Sequence, residues 1–266
     1  MVCALLLGRK GSVGFPGKNT YPVLGRPLSW YPMTAALRSE VVQRVFLSTD
    51  DPKLMNLATK LGVEVIERPA HLCTKEALGE DAYKHGFEEI VKRMGSTPEA
   101  LVLLFCNAPT VSPSQIREGV KALKDHPEYD SAITVSRYNM WSPLRARKID
   151  AQGLMKPFIS FENMFPGHKG EINCDRDSQG DVWFADVAMS VVRPKNLVDL
   201  HKGMLPQKWM GQNIFPIKNE AGLDVDYEWQ LPQAEWWLKK NGHSEASPEE
   251  LINLSITDSE TPGLTP

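Results

Sequence analysis

Short, continuous apolar runs recur through the first half of the chain: VCALLLG near the amino terminus, RVFLSTD at 44–50, VEVIER at 63–68, ALVLLFC at 100–106 and SAITVSR at 131–137. Runs of this kind suit strands covered on both faces, as in a parallel sheet. Helical patterns fill the intervals. Asp51 followed by Pro52 predicts a helix start, and Gly62 predicts its end after KLMNLATKL. GEDAYKHGFEEIVKRMG at 79–95 is amphipathic and closes on Gly95, and Ser112-Pro113 opens a further helix through SQIREGVKALK. This alternation predicts an α/β fold, a mostly parallel sheet flanked by helices, with right-handed crossovers.

The rhythm breaks at about residue 138. YNMWSPLRARKIDAQGLMKPF reads as strands joined by turns, and FPGHKGEINCDRDSQGD is polar and loop-like. VWFADVAMSVV at 182–192 then resumes a strong strand. Residues 138–180 are therefore expected to form an insertion in a single domain spanning 1–241, reaching towards a partner subunit. Residues 242–266, with SEASPEE and SETPGLTP, are expected to be a flexible tail.

Hydrophobic residues make up 42% of the chain and charged residues 24%, ordinary for a globular protein. A formal net charge of -3 argues against a general nucleic-acid binder, so any anion site must be a local patch. Cys3, Cys73, Cys106 and Cys174 lie far apart with no CxxC pair, as expected of reduced thiols. The first apolar run meets Gly8 too soon for a membrane span and lacks the basic start of a signal peptide. No membrane association is expected, and a cytoplasmic location is. The histidines have no ligand spacing, and no zinc site follows.

Candidate chemistry begins in LLLGRKGSVGFPGKN, residues 5–19. A strand runs into a loop holding Gly8, Gly11, Gly14 and Gly17 together with Arg9, Lys10 and Lys18. Such a loop sits at the carboxyl end of the first strand, where α/β sheets bind ligands. Glycines let backbone N–H groups approach phosphate oxygens, and Arg9 and Lys18 can neutralise charge. Two familiar phosphate motifs fail on spacing. The five residues between Gly11 and Gly17 are one too many for a P-loop, and GxGxxG is absent. A surface loop with incidental lysines is the other reading of the same residues.

Asp224 and Asp226 stand two apart, which on an extended segment puts both carboxylates on one face, able to hold Mg²⁺. Alternatively, Asp226 caps the amphipathic helix YEWQLPQAEWWLKK. Asp51 is better explained as a cap and stays out of the metal set.

GRKGSVGFPGKNTYPVLGRPL resembles the opening of the cytidylyltransferases of sialic-type and other ulosonic acids, the CMP-sugar acid synthetases. Gly8, Arg9, Gly11, Ser12, Gly14, Pro16, Lys18, Asn19, Gly25, Pro27 and Leu28 carry the pattern. VFLSTDDPKLMNLATKLGVEVIERPAHL, LLFCNAPTVSPSQI and GLDVDYEWQLPQAEWWL follow in the family's order. The resemblance implies a Rossmann-like sheet of the nucleotide-diphospho-sugar transferase type with a small dimerisation insertion, and hence a homodimer.

It also implies a Mg²⁺-dependent reaction in which a sugar-acid hydroxyl attacks the α-phosphorus of CTP and pyrophosphate leaves. Arg9 would then face the β- and γ-phosphates and Lys18 the α-phosphate, both catalytic, with Gly8, Gly11 and Ser12 completing the cradle. Asn19 and Arg68 would serve the base or ribose, Asn107 lies in the base-contacting segment, Arg176 would meet the substrate carboxylate, and Asp224 and Asp226 would bind the metal. Other readings stand beside these: Arg68 in a surface ion pair with Glu67 or Glu64, and Arg176 as a solvated loop charge. Nonulosonic acids of the sialic, legionaminic or pseudaminic type rank above the eight-carbon acid. A sugar-phosphate nucleotidylyltransferase using another nucleotide and a non-catalytic nucleotide-binding homologue are the alternatives.

Overall fold

The computed structural model describes residues 1–160, 173–174 and 180–254. Its centre is a seven-stranded sheet. Strands β1 (Val2–Leu7), β4 (Arg44–Thr49), β5 (Glu64–Glu67) and β6 (Ala100–Phe105) coincide with the apolar runs, as do β7 (Ser131–Arg137) and β10 (Trp183–Val192). With β11 (Ile214–Asn219) the order is β11-β7-β10-β6-β1-β4-β5, and every pairing is parallel except those of β10.

Alternation along β1 shows why the run is continuous. Cys3, Leu5 and Leu7 enter one core cluster, and Val2, Ala4 and Leu6 the other, so no position is left for a polar side chain. Helices α1 (Trp30–Leu37), α2 (Pro52–Leu61) and α4 (Pro113–Asp125) cover one face, and α3 (Gly79–Met94) the other. The start signals act as expected. The Asp51 carboxylate accepts the Lys53 N–H at 2.9 Å, and Ser112 with Gln115 forms a capping box. Close approach fixes α3: a Cβ on Gly86 would lie 2.7 Å from Leu5.

The predicted insertion leaves from Arg137 and returns at Val182. Its neck is closed by the Tyr138 N–H on the Val182 carbonyl (3.0 Å) and by Arg137 with Asp181 (3.3 Å). Within it, β8 (Arg147–Ile149) and β9 (Met155–Pro157) pair antiparallel around a turn held by Asp150 Oδ1, which accepts the Gln152 and Leu154 N–H groups. Ile149 and Met155 on this hairpin, Phe158 just after it and Trp141 in the turn before it are exposed.

Two short helices follow, α5 (Pro194–Val198) and, after β11, α6 (Leu231–Lys240). The expected tail departs from expectation in its first half. Residues 243–254 lie against the body and include α7 (Pro248–Leu254). The buried Arg26, on the short ribbon of β2 (Pro22–Val23) and β3 (Arg26–Pro27), needs acceptors and finds them there, in Glu250 at 2.7 Å and the Ser244 carbonyl at 2.6 Å. A charged group with so little solvent must be paired, and the pairing holds the segment down. The rest of that segment, 255–266, lies outside the described residues. Among the described residues no helix is long and apolar enough to cross a membrane.

Candidate active site

At the end of β1 the chain passes between two buried side chains. A Cβ on Gly8 would lie 2.6 Å from Cys106 Sγ and 2.7 Å from Leu54 Cδ1, so only glycine allows the loop to leave the sheet there. The loop is then pinned from three sides. Lys10 N–H donates to Asp50 Oδ1 at 2.8 Å, Arg9 Nη1 donates to the Cys73 carbonyl at 3.3 Å, and Asn19 Nδ2 donates to the Arg9 carbonyl at 3.2 Å. Gly17 adopts φ 76° and turns the chain into the short helical turn that carries Lys18 and Asn19.

The loop forms one wall of a pocket of about 370 Å³, lined by Gly8, Arg9, Ser12, Lys18, Asn19, Arg68, Asn107 and Asp226 among others. That volume lies in the range of small-molecule sites. Eight of the predicted residues thus meet at one cavity. Gly11 belongs to the loop but not to the lining, and its carbonyl accepts weakly from Arg9 at 3.4 Å. Arg176 lies outside the described residues.

The acidic segment packs against the loop itself: a Cβ on Gly14 would lie 2.8 Å from the Asp226 carbonyl oxygen, and Asp226 Oδ1 accepts from Lys18 Nζ at 2.5 Å. Asp226 lines the cavity, and Asp224 is not among its lining residues. The cap reading of Asp226 does not hold, because its carboxylate meets Lys18 while Gln230 Oε1 serves the Asp226 and Tyr227 N–H groups. Burial, and then repulsion from Asp226, push the Asp224 carboxyl above its ordinary range, while Lys18 and Asn107 pull it back. Two close carboxylates in this state favour a nearby cation, and their oxygens are the hard donors Mg²⁺ takes. No group of three or more His, Cys, Asp or Glu able to hold a metal occurs among the described residues. A divalent ion here would therefore complete its shell with water and ligand phosphate, as Mg²⁺ does. The pair fits that ion.

Arg68 is buried rather than in a surface pair. Its Nε donates to Ser48 Oγ at 3.1 Å and its Nη2 to the Ser48 carbonyl at 2.6 Å, while Glu64 is taken by Arg44 at 2.7 Å. Burial pulls its pKa below the ordinary value. Asn107 also acts as a tie. Its Nδ2 donates to the Val225 carbonyl at 3.0 Å and its own carbonyl accepts the Val225 N–H at 2.7 Å, joining the acidic segment to the end of β6.

Several lining residues escaped the sequence reading. Leu72, Leu78 and Phe105 supply an apolar side, and α3 begins at the pocket through Gly79 with no side chain capping it. Its positive end faces the cavity. The signal was available in Leu78-Gly79, an amphipathic helix with no capping residue at its start.

A family profile described as Cytidylyltransferase matches residues 3–150. The chain belongs to the cytidylyltransferase family. The match runs from β1 through β8 and so includes the loop, Arg68 and Asn107, while Asp224 and Asp226 lie beyond it. Among curated relatives, the chain is 28% identical over 138 residues to the N-acylneuraminate cytidylyltransferase of Escherichia coli, covering 52% of this chain and 32% of that one. It is 25% identical to the CMP-N,N'-diacetyllegionaminic acid synthase of Legionella pneumophila, over 87% of this chain and 94% of that one. With N-acylneuraminate cytidylyltransferase A of Danio rerio it shares 26% identity over 96% of this chain and 55% of that one. The chain thus spans about a third and about half of two of these relatives, and nearly all of the Legionella one. A solved CMP:2-keto-3-deoxy-manno-octonic acid synthetase complexed with CTP shares the fold of this chain, with a TM-score of 0.62 at 16% identity over 90% of this chain and 99% of that one.

Proposed function

We propose that this cytidylyltransferase transfers CMP from CTP to a 2-keto-3-deoxy sugar acid of the nonulosonic type, releasing pyrophosphate, with Mg²⁺ as its cofactor. The observation that carries the reading is one cavity lined by a cationic glycine loop and by Asp226, which Lys18 meets at 2.5 Å, with Asp224 close enough to Asp226 to be repelled by it. The acid class is supported by relatives whose names specify N-acylneuraminate, diacetyllegionaminic acid and pseudaminic acid.

In this mechanism the loop amides and Arg9 bind the β- and γ-phosphates, and Arg9 stands ready because two backbone carbonyls already orient its guanidinium. Lys18 faces the α-phosphate. As the acceptor hydroxyl attacks the α-phosphorus and the bond to pyrophosphate breaks, charge builds on the departing bridging oxygen, and these fixed cations offset it without reorganising. Arg68 and Asn19, both nearly sealed from solvent, present rigid polar groups to base or ribose. Asp224 and Asp226 would hold Mg²⁺, which when bound neutralises phosphate charge and aligns the triphosphate. Arg176 is assigned the acceptor carboxylate on the family resemblance alone.

A homodimer joined through 138–180 is supported by the exposed Trp141, Ile149, Met155 and Phe158, since several large apolar side chains left exposed in one segment suit an interface. Sedimentation velocity tests it, and a monomer at micromolar concentration refutes it. Work in the cytoplasm is supported by four free cysteines.

The deciding experiment measures pyrophosphate release with Mg²⁺ for CTP, GTP, UTP and ATP against nonulosonic acids, octulosonic acids and sugar phosphates. CTP-dependent release with one nonulosonic acid is the expected result. Release with another nucleotide or a sugar phosphate overturns the substrate assignment. CTP binding with no release for any acceptor makes the chain a non-catalytic binder.

A further inference from the structure

The acidic segment 221–226 belongs to no strand, yet Gly222, Leu223 and Val225 each have both backbone groups paired. Thr110 Oγ1 donates to the Leu223 carbonyl (3.0 Å) and accepts the Leu223 N–H (2.9 Å), one residue pair along from the Asn107–Val225 contacts. Those two attachments come from the loop after β6. On the other side, Ser136 Oγ accepts the Gly222 N–H at 2.9 Å and Tyr138 donates its hydroxyl to the Gly222 carbonyl at 2.9 Å, both from the end of β7. Between these two anchorages runs β10, and there the chain carries Asp186.

Asp186 is an acid in the middle of an apolar strand, only 6% exposed, and it meets no cationic side chain among the described residues. Its carboxylate accepts instead from neutral donors: Thr134 Oγ1 at 2.6 Å, Ser136 Oγ at 2.6 Å and the Ala188 N–H at 3.1 Å. A buried carboxyl satisfied only this way is costly, so its retention needs a reason. The backbone around it is strained too. The β10 register shifts between Ala185 and Ser190, and Val187 sits at φ 59°, a region that β-branched residues avoid. This bulge is what turns the Asp186 side chain inward.

The carboxylate also bears directly on the acidic segment. A Cβ on Gly222 would lie 2.1 Å from Asp186 Oδ2, so the segment is laid against that oxygen with no room between. Ser136 completes the link, donating its one hydrogen to Asp186 and thereby turning a lone pair to the Gly222 N–H.

We infer that Asp186 is a positioning residue: through Ser136 and by contact with Gly222 it fixes the path of segment 221–226 and so sets Asp224 beside Asp226, the carboxylate that lines the pocket. The inference rests on the metal role proposed for that pair. It assigns the strained bulge of β10 to the geometry of the acidic segment. Groups that orient metal-binding carboxylates from behind typically change metal affinity by about 10- to 100-fold when removed.

Three variants separate positioning from mere stability: Asp186→Asn, Ser136→Ala and, as the control, Thr134→Val, which removes a hydroxyl from the same buried network but none that touches the segment. Hydrogen exchange by mass spectrometry follows a peptide covering 220–227, Mn²⁺ binding in the presence of a non-hydrolysable CTP analogue is read by electron paramagnetic resonance, and pyrophosphate release is titrated with Mg²⁺. Asp186→Asn and Ser136→Ala are expected to speed exchange in that peptide, to weaken Mn²⁺ binding about tenfold or more, and to recover much of their kcat at saturating Mg²⁺. Thr134→Val is expected to lower Tm without any of these changes. Unaltered exchange in both test variants, or equal changes in Thr134→Val, overturns the inference. Faster exchange with wild-type Mn²⁺ binding overturns its functional half. If the unaltered protein shows no Mn²⁺ binding while exchange responds as expected, the metal reading fails and the support of the segment by Asp186 is upheld.

Discussion

Replacing Gly8 by alanine tests the link between core packing and the cationic loop. The new methyl carbon would lie 2.6 Å from Cys106 Sγ, 2.7 Å from Leu54 Cδ1 and 3.0 Å from Cys106 Cβ. Both neighbours are fully buried and can swing nowhere, so the strand end or its neighbours must shift. Overpacking of this kind costs about 1–3 kcal/mol. For a chain of this size that corresponds to a fall in Tm of roughly 2–4 °C per kcal/mol. Cys106→Ala alone leaves a methyl-sized void costing about 1 kcal/mol. In the double variant the sulfur is gone and the Leu54 contact remains, so the costs should fall short of additive by at least about 0.5 kcal/mol. Urea unfolding followed by tryptophan fluorescence gives all four corners of the cycle, and CTP titration of each variant reports the loop. Affinity should fall in Gly8→Ala and return in part in the double variant. An unchanged unfolding midpoint for Gly8→Ala, or strict additivity, would refute the reasoning.

Two further outcomes follow from the pocket. Lys18→Ala should lower kcat/KM for pyrophosphate release by about 100- to 1,000-fold, the usual loss of one fixed charge-stabilising group, with little change in Tm because its partner Asp226 is solvent-exposed; a loss under tenfold contradicts its assignment. Asp224 is raised by burial, so between the ordinary carboxylate range and its folded value the native state holds more protons than the unfolded chain, and stability falls as pH climbs through that window. Asp224→Asn should remove that part of the pH dependence in cation-free thermal melts and be at least as stable as wild type at neutral pH, while losing activity; a variant less stable than wild type contradicts it.

The strands were legible because a covered parallel sheet leaves its signature in unbroken apolar runs, and the helix starts because Asp51-Pro52 and Ser112-Pro113 are local chemistry. Helix α1 was not, since WYPMTAAL carries a proline and no capping hydroxyl contact, and its helicity comes from burial of all but its last residue. Strand β11 hid behind Pro216, tolerable there because β11 is an edge strand. At the site, the glycine loop announced itself through composition, whereas the burial of Arg68 and the tie made by Asn107 depend on Ser48 and Val225, partners set by the fold. Asp186 did leave a trace, an acid inside VWFADVAMSVV, and a buried acid always raises the question of its donors.

The reversed direction of β10 has a consequence for how such a chain can diversify. Because β7 leaves the sheet at the carboxyl edge and β10 enters it at that same edge, both ends of the 138–182 segment open beside the pocket, with a neck only as wide as one ladder pair. Beyond Tyr138, a stretch of chain hung from a closed neck can be lengthened, shortened or exchanged while the pairings of the sheet stay as they are. Selection can rewrite what that stretch meets while the phosphate loop and the acidic segment stay as they are, so a new acceptor need not await a new fold.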